Sequence, residues 1–176
     1  MFSRSEKNAF VQRIREQREI EFPHVPEDKS CLCSSFLVCR ELVRLGHRPI
    51  LQCGSIYWRA VSRKADDGKM PTHYSMVWSP HEINSILSVA TGRLPEIHCW
   101  VGLLETQEII DLTVKFFPMA WKNAIGYDWT AKTPPDYVWS NIVSCQKKYA
   151  VRYEPLKDAT EYGMHQITKI LNRRKL

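Results

Sequence analysis

Ser30-Cys31-Leu32-Cys33-Ser34-Ser35-Phe36-Leu37-Val38-Cys39-Arg40-Glu41-Leu42-Val43-Arg44-Leu45-Gly46 is the stretch whose reading decides the fold. It is apolar almost all round at helical spacing. Leu32, Phe36, Cys39 and Val43 form one stripe, and Ser35, Val38, Leu42 and Leu45 form the next. Two adjacent apolar stripes predict a helix buried on more than one side. Asp28 or Ser30 is placed to cap its start, and Gly46 stands where a helix ends in the left-handed conformation. Cys31 then lies in the first turn, at the positive end of the helix dipole, where the thiolate is favoured. Cys33 is a rival nucleophile, but at about 100° per residue it points roughly 200° away from Cys31. The plainer alternative makes both cysteines small buried hydrophobes.

The flanks give this helix its setting. Residues 5–20 read as an amphipathic helix, with Phe10, Val11 and Ile14 on one side and Arg13, Arg15, Glu16 and Arg18 on the others. Pro23 and Pro26 break it. After Gly46, residues 49–61 are rich in β-branched and aromatic residues and predict a strand. Residues 65–69 are a turn signal and 73–78 its returning strand, so the pair is an antiparallel hairpin. A short helix is expected over 80–90. His98-Cys99-Trp100-Val101-Gly102-Leu103-Leu104 and Ile109-Ile110-Asp111-Leu112-Thr113-Val114 predict two antiparallel neighbours joined by a polar turn. A helix is expected from near Pro118, strands over 137–142 and 148–153, and a last helix over 157–172 packing through Met164, Ile167, Ile170 and Leu171. The sum is one α+β domain spanning 1–176, a central buried helix packed on an antiparallel sheet.

Composition excludes several classes. The chain has 176 residues, 44% of them hydrophobic, and a net charge of +6, which is ordinary for a globular domain. The N-terminus lacks an apolar run of the secretory kind, and no stretch is long enough to span a bilayer, so a cytoplasmic protein without membrane partners is expected. In that compartment the six cysteines are reduced thiols. Cys31-x-Cys33 beside His98-Cys99 does not match common structural zinc spacings, so neither a metal nor a cofactor is expected. Arg13, Arg15 and Arg18, and Arg173, Arg174 and Lys175, are local basic runs. They suit solvated faces, or a surface that meets an acidic partner. No motif for base or backbone recognition accompanies them, so a nucleic-acid partner is not expected.

Chemistry points to Cys31, His98 and Asp111. A thiol nucleophile needs a base within hydrogen-bond reach, and the imidazole needs a third group to fix its tautomer. A turn centred on Glu105-Thr106 sets Thr113 opposite His98 and makes Asp111 its diagonal neighbour on the same face. A wider turn over 105–108 separates the pair, and both registers fit the residues. Taken singly, His98 reads equally as a structural strand histidine, and Asp111 as a turn cap or a lysine's partner.

Cys31-Leu32 with Ser35, Leu42-Val43-Arg44 and Gly46, then Gly54, then His98-x-Trp100-Val101, then Ile110-Asp111, resembles the transglutaminase-like branch of the papain-like cysteine enzymes. The nearest likeness is to the leader peptidases of lasso-peptide biosynthesis. It covers about residues 28–114, leaving N- and C-terminal helices as flanks, and the stretch between Gly54 and His98 is longer than in compact members. The resemblance implies a papain-like fold with Cys31 as nucleophile, His98 as general base and Asp111 as the group that orients it. It implies a cysteine hydrolase or acyl transferase acting on an amide or peptide bond, with a peptide or protein substrate. The backbone N–H of Cys31, Gln17 or Gln52 could serve as oxyanion donors. The alternative function is a non-catalytic binding module on the same fold that docks an acidic partner. Oligomeric state is left open.

Overall fold

The structure is a computed structural model that describes residues 2–58, 74–76, 97–125, 128–129 and 132–173. Helix α1 (Arg4–Glu21) starts at a reciprocal cap, in which the Ser3 hydroxyl accepts from the Glu6 N–H and the Glu6 carboxylate accepts from the Ser3 N–H. It buries Phe10, Val11, Ile14 and Arg18. Helix α2 (Cys31–Arg44) follows a 3-10 turn over Glu27–Lys29.

Ser30 occupies the N-cap position of α2 but does not cap it through its side chain. Its hydroxyl donates instead to the Glu27 carbonyl at 2.7 Å, closing the turn that leads into the helix. At the other end Gly46 has φ 84°, its N–H bonds to the Val43 carbonyl, and the His47 N–H bonds to the Leu42 carbonyl. This is the paired-bond ending that the glycine predicts.

The buried face of α2 differs in part from the predicted stripes. Leu32, Ser35, Val38 and Leu42 are buried as expected, and Ser34, Leu37 and Glu41 complete the face. Phe36 and Cys39 are half-buried, while Val43 and Leu45 are exposed. The apolar residues outnumber the positions that a sheet can cover, so the last turn is left to solvent. Glu41 is kept ionised by a fork of hydrogen bonds from Arg44 and a contact from Arg13.

The sheet comprises β1 (Pro49–Trp58), β2 (Tyr74–Met76), β3 (His98–Leu103), β4 (Glu108–Asp111), β5 (Val138–Asn141) and β6 (Val151–Pro155). The order is β2-β1-β3-β4-β5, with β6 also paired to β1, and every pairing is antiparallel. The expected return strand is β2. The turn at 65–69 and the helix over 80–90 fall outside the described residues. Helix α3 (Phe117–Ile125) begins close to Pro118.

Helix α4 (Ile142–Tyr149) separates β5 from β6; the expected strands over 137–142 and 148–153 overlap only its ends, and 143–147 carry no expected element. Its sequence is β-branched at the start, but Asn141 caps it through the Val143 N–H, and Ala150 ends it at φ 52°. Caps and tertiary packing here override strand propensity. Helix α5 (Lys157–Arg173) buries Ala159, Gly163 and Ile167, and Met164 is exposed rather than packed.

Strand alternation sorts the core into two layers. Leu51, Cys53, Cys99, Val101, Leu103 and Ile110 meet α1, α2 and α5. Ile56, Trp58, Trp100, Ile109, Val138 and Tyr153 lie in the opposite layer, with α3 and α4. The architecture is therefore α+β, with α2 buried against an antiparallel sheet. No helix among the described residues is long and apolar enough to cross a membrane.

Gly54 sits directly opposite His98 in the ladder, at the point where β1 changes partners. A Cβ there would lie 2.1 Å from the Glu154 carbonyl oxygen and 2.9 Å from the Leu156 nitrogen, both backbone atoms. Gly54→Ala is therefore expected to destabilise the fold by about 1–3 kcal/mol, the scale of overpacking. Urea unfolding measures it, and a loss below about 0.5 kcal/mol, the range of ordinary surface changes, contradicts this packing.

Candidate active site

The β3–β4 hairpin decides the site. Val101 pairs with Ile110, Gly102 with Ile109 and Leu103 with Glu108. This register is centred between Glu105 and Thr106, with Gln107 at φ 52° in the turn. Continued by one count, it sets Asp111, the last residue of β4, opposite Trp100 and so on the sheet face that carries His98, while Thr113 lies beyond the strand at the start of a 3-10 turn. The His98 Nε2 and Asp111 Oδ2 atoms are 2.6 Å apart, and both residues are 1% exposed.

Asp111 is saturated with donors. Oδ1 accepts from the Thr113 N–H at 2.9 Å and from the Thr113 hydroxyl at 2.9 Å, and Oδ2 also accepts from the Tyr153 hydroxyl at 3.0 Å. Burial pushes its carboxyl pKa up, but the His98 charge and these hydrogen bonds outweigh that and hold it below its ordinary value. Tyr153 moves well above the usual phenol range, through burial first and the adjacent carboxylate second.

The imidazole has aromatic walls. Trp100 stacks along it at 6.0 Å with 21° between planes, and Phe117 meets it edge-on at 5.3 Å. Burial alone would lower the His98 pKa. Asp111's charge and hydrogen bond, with the Cys31 thiol behind them, raise it to about 10. Nε2 is engaged by Asp111, which leaves Nδ1 for a second partner.

Helix α2 aims its first residue at the start of β3. The half-buried Cys31 places Sγ 3.8 Å from the carbonyl oxygen of Ile97, the residue that precedes His98. The Cys99 hydrogen bond, then that of His98 and its charge, overcome burial and hold the Cys31 thiol well below the usual thiol range. Cys33 is buried in the apolar core two residues on. Of the three residues predicted from the sequence, His98 and Asp111 are in direct contact, and the ionisation of Cys31 is tied to that of His98.

Thr113 and Tyr153 were not anticipated as parts of this site. Asp111-x-Thr113 carries the signal of a carboxylate that binds the N–H two residues ahead. Tyr153 arrives from β6, beyond any local pattern. Of the suggested oxyanion donors, Gln52 is committed elsewhere: its Oε1 accepts from the Trp100 indole at 2.8 Å, and its side chain covers Gly102. Gln17 is half-buried on α1.

A separate cavity lies against α1, lined by residues including Arg15, Arg18, Glu27, Ser30, Thr113 and Lys115, and neither Cys31 nor His98 borders it. Its cations are engaged, Arg15 with Asp136, Lys115 with Asp136, and Arg18 with Glu19 and Glu27.

His98 couples folding to pH. Its pKa is raised from 6.5 to about 10 in the folded chain, so it stabilises the fold fully below pH 6.5. That stabilisation is lost as pH rises towards about 10. Urea midpoints of the wild type should fall across this window relative to those of His98→Gln. Parallel profiles for the two chains would contradict the raised pKa.

Comparison of the chain with family models, with curated proteins and with solved structures finds no match.

Proposed function

We propose that this protein is a cysteine hydrolase or acyl transferase acting on an amide or peptide bond of a peptide or protein substrate in a reducing, cytoplasmic setting. The observation that carries the reading is the buried 2.6 Å bond between His98 and Asp111, together with a Cys31 thiol pKa lowered by the Cys99 hydrogen bond and by His98. A nucleophile at the start of a buried helix, a histidine at the start of a strand and an aspartate on the next strand are also what a transglutaminase-like, papain-like fold would supply. A binding module has no need of a polarised thiol against a buried, carboxylate-oriented histidine.

The chemistry follows from the proton positions. With the Cys31 pKa lowered and that of His98 raised, the resting pair is thiolate and imidazolium. The Cys31 sulfur attacks the substrate carbonyl. The oxyanion forms near the N-terminus of α2, where the Cys31 N–H and the helix dipole favour negative charge. His98 gives its Nδ1 proton to the leaving amine as the C–N bond breaks, leaving a thioester on Cys31. Neutral His98 then takes a proton from water or from an acceptor amine, which attacks the thioester and releases Cys31. Asp111 remains ionised throughout and fixes the imidazole orientation.

A panel of electrophilic acyl probes, aryl thioesters and peptidyl acyloxymethyl ketones, tests this by adduct mass mapping. Cys31 should carry the adduct at neutral pH, and Cys31→Ala should abolish it while Cys33→Ala does not. Asp111→Asn should slow labelling by at least about a hundredfold, the low end of what general acid–base groups contribute. A Cys31→Ala chain that labels fully while Cys33→Ala does not label would refute the assignment.

A further inference from the structure

The mechanism leaves two buried thiols beside Cys31 unused. Cys99 is 2.9 Å from Cys53, sulfur to sulfur, and Cys31 packs on the core cluster that holds both, its Sγ 3.8 Å from the Ile97 carbonyl two residues before Cys99. Cys53 and Cys99 are also direct cross-strand partners. The Cys53 N–H donates to the Thr160 hydroxyl, and its carbonyl accepts from the Leu156 N–H, so its main-chain groups face away from β3. The pair is therefore of the non-hydrogen-bonded kind, whose Cα atoms stand about 4.5 Å apart, inside the range a disulfide spans.

Access is unequal. Cys53 is 0% and Cys99 1% exposed, whereas Cys31 is half-buried. Helix α5 covers Cys53 through Gly163, where a Cβ would lie 2.6 Å from the Cys53 sulfur. An oxidant therefore meets Cys31 first.

We propose that Cys31, Cys99 and Cys53 form a thiol relay that makes Cys31 a reversible oxidation site for small hydroperoxides. The Cys31 thiolate attacks the peroxide, breaks the O–O bond and becomes a sulfenic acid, releasing an alcohol or water. Cys99 attacks that sulfur, forming a Cys31–Cys99 disulfide and releasing water. Cys53 then attacks the Cys99 sulfur and expels Cys31, a better leaving group than Cys99 because its thiolate is stabilised and that of Cys99 is not. Per peroxide, two thiols are oxidised to the Cys53–Cys99 disulfide, and Cys31 returns to its reduced state. This step does not depend on amide chemistry, since it needs only the thiolate and its two neighbours.

The test is equimolar hydrogen peroxide on the full chain, followed by alkylation of free thiols and mapping of disulfides by mass spectrometry. The wild type should lose two thiols per peroxide and yield Cys53–Cys99, while Cys53→Ser should stop at Cys31–Cys99. Both should revert with dithiothreitol. Cys31 sulfinic acid in the wild type with Cys53 and Cys99 free, or disulfides through Cys33, Cys39 or Cys145, would overturn the relay. A wild type that stops at Cys31–Cys99 would overturn the transfer to Cys53. The wild-type map decides even where a variant fails to fold. Acyl-probe labelling of Cys31 reads the amide chemistry separately.

Discussion

Everything at the site depends on one buried contact, the bond between His98 and Asp111. Two ionisable side chains, each 1% exposed, are held 2.6 Å apart in an aromatic layer. Removing one partner from such a buried pair typically costs about 3–5 kcal/mol, because the other charge is left unpaired. The fold supplies what the pair needs. The hairpin register brings the two together, Thr113 satisfies one carboxylate oxygen, and Tyr153 shares the other. Trp100 and Phe117 exclude water from the imidazole.

From that contact the properties of Cys31 follow. A histidine kept charged by a fixed carboxylate is a standing cation beside the thiol, and the N-terminus of α2 adds a second positive field. Cys33 lies two residues further on, buried in the apolar core. The rigid ending at Gly46 and the fully buried Leu37 and Leu42 fix the helix that carries the thiol. Burying each of those leucines contributes about 1.5–3 kcal/mol. Placement of the Cys31 thiol therefore rests on packing, and its lowered pKa rests on Cys99 and His98.

Much of this was legible in the chain because the decisive signals are local. The α2 boundaries follow from residue type at Ser30 and Gly46, and the polar Asp111 in an apolar strand marks a residue that needs a partner. Between the two possible registers the residues were neutral, and the four-residue turn ending in Gln107 at φ 52° settles the matter through backbone geometry. Helix α4 was hidden because its first residues favour strands and its cap, Asn141, closes the preceding strand. Tyr153 and Cys53 were invisible as neighbours of the site. Both are placed by β1, whose pairing with β3 joins Cys53 to Cys99 and whose pairing with β6 joins Ile56 to Tyr153, contacts distant in the chain. The exposed Val43 and Met164 show the converse error, since helical spacing names apolar positions without saying which have anything to pack against.

The central claim is that Cys31 rests as a thiolate paired with a protonated His98. Ultraviolet thiolate absorbance across a pH titration, taken as wild type minus Cys31→Ala, measures it directly. The account predicts a thiolate already formed at neutral pH that is lost from the difference spectrum when His98 is replaced by Gln. A Cys31 that ionises only near the ordinary thiol value of 9.0 would contradict it.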